Sequence, residues 1–358
     1  MLERENLDAV LLNAQHNFAW LTGGASNGVD SSRENGVASL VVTRQGKRYL
    51  LTNNIEMPRM LAEELSERDF EPVEYAWQDE KADGDLALRR LKDLLGSSSS
   101  VATDIALFAE ARPIENKIAA CRYQLMNAEI ERFRIHGKDA GAAVRRVIDS
   151  LNQGETELEI AGKMRHELAL GGMMSVVTLV AADDRISSFR HPVPTANVWK
   201  KTLLMVTCAK RDGLITSLSR IVCAGDVQDE LRQKTDAVAY VNACMLDATR
   251  PGATGADVYA AASKAYADKG FAGEINRHHQ GGAAGYKTRE WVAHPHSAEI
   301  VQENQAFAWN PSIIGTKAEE TCIVTVDGIE VITVSPDFPQ IPVTINGTEY
   351  FSPGILSL

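Results

Sequence analysis

Apolar positions in the first hundred residues fall in short runs separated by polar, helix-compatible stretches. Leu7-Asp-Ala-Val-Leu-Leu12 predicts a strand, and Gly36-Val-Ala-Ser-Leu-Val-Val42 predicts another. Lys47-Arg-Tyr-Leu-Leu-Thr52 pairs with the second across a turn at Arg44-Gln45-Gly46. Helical spacing follows around 55–66 and 85–95. A last strand lies near 101–105, after a flexible break at Gly96 and the serine run that ends at Ser100. These elements predict an α/β domain over 1–122.

The pattern changes near residue 122. Asn127 is placed to cap a long helix in which Ile130, Phe133, Val144, Val147 and Leu151 recur at helical spacing. Thr156, with Glu159 three residues on, is a capping box, and Gly171-Gly172 ends that helix. Strands Leu203–Ala209 and Leu214–Val222 meet at an Asp212-Gly213 turn. Two further helices run from about 226 to 249 and from the Thr254 cap to Asp268. The remainder reads as β-rich, with Asp327-Gly328 and Asn346-Gly347 as hairpin turns. Helix pair, hairpin, helix pair and strands predict an α+β domain over 123–358 built of two roughly similar halves.

Composition narrows the function classes. A length of 358 residues suits two domains. The net charge of −11 argues against non-specific binding to nucleic acid or to an anionic membrane. No stretch approaches eighteen apolar residues and no charged start precedes an apolar run, so neither a membrane span nor a secretory signal is expected. Cys121, Cys208, Cys223, Cys244 and Cys322 are scattered and odd in number, which suits a reduced cytoplasm.

Four stretches of the second domain carry the chemistry. A hairpin reads Val206-Thr-Cys-Ala-Lys-Arg-Asp-Gly213-Leu-Ile-Thr-Ser217-Leu-Ser219-Arg220, and a glycine loop reads His278-His279-Gln280-Gly281-Gly282-Ala-Ala-Gly285. Phe307-Ala-Trp-Asn310-Pro311 and Lys317-Ala-Glu319-Glu320-Thr-Cys-Ile-Val324 follow, the latter ahead of Asp327-Gly328. In order and spacing these resemble the creatinase/prolidase/methionine-aminopeptidase family, peptidase family M24. Asn17-Phe-Ala-Trp-Leu-Thr-Gly23 is similar to the same family's first domain, so the resemblance covers nearly the whole chain. It implies a C-terminal pita-bread domain behind a creatinase-type N-terminal domain.

The resemblance also implies where the family's two metal ions would be held. Val206 stands at the first Asp position, Ser217 at the second, Gly282 at the His and Asn310 at the first Glu; only Glu319 keeps a ligand. Valine and glycine cannot bind metal, and divalent ions want carboxylate or imidazole. The expectation is therefore a protein without the dinuclear centre and without a cofactor.

A metal-independent, creatinase-like branch of the family offers an alternative chemistry. Phe189-Arg190-His191-Pro192-Val193-Pro194 stands where that branch carries its catalytic histidine. Ser32-Arg33-Glu34-Asn35-Gly36 matches its substrate arginine, which reaches the other subunit's site and so implies a homodimer. The leading expectation is a hydrolase that cleaves a C–N bond of a small carboxylated molecule. His191 and Glu319 would be catalytic, and Arg33, His279, Asn310, Ser217, Ser219 and Arg289 would hold the substrate. Two alternatives stay open. One is an inactive Xaa-Pro peptidase-like homologue that binds a small ligand or peptide. The other is a dipeptidase whose metal site is rebuilt from His278, His279, His294 and His296.

Each residue also has a plainer reading. His191 suits proton transfer because imidazole titrates near neutrality, yet it equally suits a surface or substrate-contacting histidine. Arg33 fits a carboxylate clamp or a solvated loop salt bridge. Arg289, where relatives carry His-Glu, lines a pocket wall or simply packs. The glycine pair serves close backbone approach, with no strand–loop–helix pattern to make it a phosphate loop. Strand alternation puts Ser217 and Ser219 on one face and sends Glu319 and Glu320 to opposite faces. No Gly-x-Ser-x-Gly elbow supports a serine nucleophile.

Overall fold

Period-two burial organises the N-terminal sheet. Strands β1 (Ala9–Ala14), β2 (Asn35–Thr43) and β3 (Arg48–Asn53) run as an antiparallel meander in which Leu12 faces Leu40 and Leu40 faces Leu50. Parallel strands β4 (Glu71–Tyr75), β5 (Val101–Thr103) and β6 (Arg112–Pro113) extend it in the order β4-β3-β2-β1-β5-β6. Ala9, Leu11, Val41 and Leu51 pack against Leu88 and Leu91 of the Leu86–Leu95 helix. Val10 and Leu12 turn the other way, towards Ile114 and Ile118. Strand β1 starts two residues later than its apolar run, because the Leu7 amide is spent on the Leu2 carbonyl in a turn.

A computed structural model describes residues 1–66 and 69–358, and the chain forms two units, Met1–Arg122 and Tyr123–Leu358. The second unit contains two larger sheets, each with its own helix pair. Strands β7 (Met174–Ala182), β8 (Thr202–Arg211) and β9 (Leu214–Cys223) lie under helices Asn127–Asp149 and Glu157–Leu170. Strands β10 (Gly281–Ala284), β11 (Trp291–Val292), β12 (Ala306–Trp309), β15 (Glu320–Thr325) and β16 (Gly328–Val331) lie under helices Asp229–Ala248 and Gly255–Asp268. The short strands β13 (Ser312–Ile313) and β14 (Thr316–Lys317) join β12 to β15. Strands β17 (Gln340–Ile345) and β18 (Thr348–Pro353) form a hairpin, and β19 (Ile355–Ser357) adds to the edge of β9.

The two halves repeat a local device. Thr156 accepts from the Glu159 amide while the Glu159 carboxylate takes the Thr156 amide, and Thr254 and Asp257 do the same. Each box satisfies two otherwise orphaned donors at its helix start, which stabilises that start by about 1 kcal/mol.

Three expectations need correction. Asn127 does not cap its helix; it is the first helical residue, and the Glu129 carboxylate serves the Met126 amide at 2.7 Å. Leu151 lies past that helix, which ends at Asp149. Strand β7 was not expected, although Met174–Ala182 pairs with β8 along nearly its whole length. Among the described residues, no helix is long and apolar enough to cross a membrane.

Candidate functional site

The Asp212-Gly213 turn fixes the register of β8 and β9, since both residues take positive φ (50° and 81°). That register sets Cys208 opposite Ser217 and Val206 opposite Ser219, all four on the sheet face away from the covering helices. Strand β9 is then stitched to the second sheet. The Ser217 amide donates to Thr321 Oγ1 at 2.7 Å, the Ser219 amide to the Glu319 carbonyl at 3.1 Å, and the Ile215 amide to the Gly285 carbonyl at 2.8 Å. Ser217, Ser219, Arg289, Lys317 and Glu319 thereby meet in the interior of the second unit, all but Arg289 buried, and Asn310 is buried as well, its backbone amide on the Gln280 carbonyl.

The family's metal pair does not fit these residues. At the five positions that the resemblance assigns, Val206 packs with Leu204 and Ile221, and Gly282 offers no side chain. A Cβ added at Gly282 would overlap the Trp291 carbonyl, and one at Gly281 would overlap the Ala308 carbonyl. The glycine pair thus serves close strand-to-strand approach, as its sequence suggests. The surviving carboxylate is engaged by fixed cations: Glu319 Oε2 lies 2.7 Å from Lys317 Nζ, and Glu319 Oε1 lies 3.2 Å from Arg289 Nη2. Burial would raise the Glu319 carboxyl, but Lys317 and Arg289 override it and hold it below its usual range. A guanidinium and an ammonium beside one carboxylate leave no room in charge for two further dications.

Arg289 also donates to Ser217 Oγ at 3.2 Å, so it is a member of the site rather than packing alone. Ser217 Oγ contacts Cys208 Sγ at 3.2 Å, and burial pushes that thiol up. Glu320 points the other way, as alternation requires, onto buried Arg220 at 2.8 Å and Thr333. Ser219 Oγ, Asn310 Oδ1 and Arg289 Nε have neither a hydrogen bond nor an ion-pair contact among the described residues, whereas Glu319 Oε2 has its ion pair with Lys317. Buried polar atoms in native proteins are met by protein, water or ligand, so each of these three has capacity for a water or a ligand.

Beside this interior lies a group of histidines. His278 Nε2 is 3.1 Å from His191 Nε2, and the His278 and His279 rings stack at 4.4 Å. Burial, then the charge of Lys317, pushes His278 down to about 3; burial, then Arg289 and Lys317, pushes His279 down to about 4. His191 is lowered too, by desolvation first and Lys317 second. All three imidazoles are therefore neutral near pH 7. His278 and His279 do not gather with His294 and His296, which contact each other instead, the His296 amide donating to His294 Nδ1 at 3.1 Å. Arg33 belongs to the N-terminal unit, where it is exposed and paired with Asp30 at 3.1 Å.

Lys317 and Cys208 were missed by the sequence reading. Cys208 had a signal, since it stands two residues from Val206 on one strand and period two puts such neighbours on one face, whereas Lys317 ends its strand and Glu319 lies outside any.

Comparison with known proteins bears on the family and the fold. The model of the creatinase/prolidase N-terminal domain matches residues 1–136, and that of metallopeptidase family M24 matches residues 131–331. An Xaa-Pro dipeptidase of Lactobacillus delbrueckii subsp. lactis is 23% identical over 244 residues, which span 65% of this chain and 66% of that protein. The solved Xaa-Pro dipeptidase from Bacillus anthracis superposes with a TM-score of 0.77 at 17% identity, covering 94% of this chain and 95% of its own. The X-Pro aminopeptidase from Thermotoga maritima MSB8 gives 0.76 at 18% identity, covering 99% of each chain. Its two-sheet C-terminal unit and the family models matched in chain order make one assignment: this chain belongs to metallopeptidase family M24, with a pita-bread fold behind a creatinase-type N-terminal domain.

Proposed function

We propose that this chain is an Xaa-Pro dipeptidase-like member of its family that receives a dipeptide-like ligand in a cleft without the dinuclear metal centre. The observation that supports it is the unpaired polar edge formed by Arg289 Nε, Asn310 Oδ1 and Ser219 Oγ beside two fixed cations. One carboxylate against a guanidinium and an ammonium leaves a single positive excess, which suits the terminal carboxylate of a small peptide. The relatives named as Xaa-Pro dipeptidases favour a dipeptide over a guanidino acid as the ligand class. His191 at the rim is placed to touch the ligand or to move a proton on it.

Calorimetry with Xaa-Pro dipeptides and their C-terminal amides, each with and without chelator, tests this reading. Binding of the free acids that survives chelator, and weakens at least about tenfold in Arg289→Gln, is the expected result. Equal binding of the amides, or none of the acids, overturns it. Chelator-resistant turnover abolished in His191→Ala would favour the metal-independent hydrolase instead.

A further inference from the structure

We infer that His191, His278 and His279 form a mononuclear site for a borderline divalent cation of the zinc class, distinct from the family's metal pair. One ligand atom from each lies within 4.8 Å of the other two. A tetrahedral ion with nitrogen ligands at 2.0–2.1 Å sets its donors about 3.4 Å apart. The His278–His191 pair, at 3.1 Å, is close to that separation already. His279 is exposed, so rotation of its side chain brings the third donor in.

The loops behind these rings are braced. Gln280, fully buried, donates from Nε2 to the His278 carbonyl at 2.6 Å and accepts from the Tyr266 hydroxyl at 2.8 Å. Tyr266 in turn accepts from the Ser312 amide at 2.8 Å. Arg190, next to His191, reaches the same Ser312 through its hydroxyl at 2.9 Å and pairs with Glu274. The His191 loop and the His278 loop are therefore tied to one anchor, the kind of outer support that fixes ligand orientation.

Three imidazoles with no carboxylate among them select zinc, nickel, cobalt or copper over magnesium, calcium or manganese. Lys317 and Arg289 face the group, with Glu319 offsetting one of their charges, so the open fourth position takes an anion or water. A closed structural site would offer four protein ligands; three with solvent access is the pattern of an exchangeable one.

The experiment uses untagged, chelator-stripped protein. Zinc is titrated by calorimetry, and cobalt by its visible absorption, in the absence of any peptide, so the outcome is independent of the dipeptide reading. One equivalent should bind. His278→Ala and His279→Ala should each weaken it by at least about 100-fold, the upper end of what losing even an outer partner costs. His294→Ala and His296→Ala should leave the affinity unchanged, and magnesium should give no heat. No zinc heat, or an equal loss in His294→Ala, overturns the site and leaves only a hydrogen-bonded pair of imidazoles with a third ring stacked on it.

Discussion

Each unit of this chain buries a polar cluster, and the two differ in what they leave unpaired. In the N-terminal unit, the Asp104 carboxylate accepts from the Asn13 amide at 2.9 Å, the Ala14 amide at 2.8 Å and Asn17 Nδ2 at 3.1 Å. Asn17 accepts from Arg122 Nη1 at 2.6 Å, and Arg122 Nη2 meets Glu115 at 2.8 Å. Desolvation works against the Glu115 carboxylate, yet His16, Arg122 and Asn17 hold it ionised. The charged groups of that cluster are paired, although Asn13 Oδ1 has no partner among the described residues. The cluster around Glu319 is equally buried but stays open at Arg289 Nε, Asn310 Oδ1 and Ser219 Oγ. A fully paired set of charges pins a fold, and an unpaired buried polar atom has capacity for a water or a ligand.

The largest effect should come from breaking the N-terminal cluster. Arg122→Ala takes the guanidinium from Glu115 and the donor from Asn17 Oδ1, and should cost about 3 kcal/mol in urea denaturation, while dipeptide binding stays unchanged. A loss below about 1 kcal/mol would mean the cluster is not structural.

Acid sharpens the contrast in the second unit. His136 is buried with Nε2 2.8 Å from the Ala209 carbonyl, and burial pushes it from 6.5 down to about 4. The unfolded chain takes up this proton at higher pH than the fold does. The stability tied to neutral His136 is complete above about pH 6.5 and gone by about pH 4, a loss of up to about 3 kcal/mol. Denaturation across that window should be shallower in His136→Gln; an identical slope would remove His136 from the account.

The smallest effect belongs to the open cluster. Ser219→Ala deletes a hydroxyl with no partner among the described residues, so stability should move by no more than about 0.5 kcal/mol. A larger loss would show that the hydroxyl has a partner in the folded protein.

Much of the frame was legible because its signals are local. Asp212-Gly213 announces positive φ, and Thr156 with Glu159 announces a helix start within four residues. Strand β7 was less legible: Met174 and Val176 are exposed while Val180 to Ala182 are buried, so no single period describes it. The site was legible as positions and not as contacts. Glu319 and Ser217 could be named from their order along the chain, but that a lysine would sit buried against that carboxylate is a tertiary fact, since lysine ordinarily signals solvent. The histidine group joins His191 to a residue 87 positions away, and nothing near either announces the other.

Gly282 has a bearing on how such a protein can change. With the Trp291 carbonyl standing where a Cβ would go, a histidine cannot be placed there until β11 moves off β10. The side chain and the strand spacing would have to alter together. Single substitutions toward the family's ligands at Val206, Ser217 or Asn310 would then add charge to a centre that still lacks its imidazole. The position couples a side chain to a strand spacing: a histidine at 282 and a displaced β11 would have to arrive together.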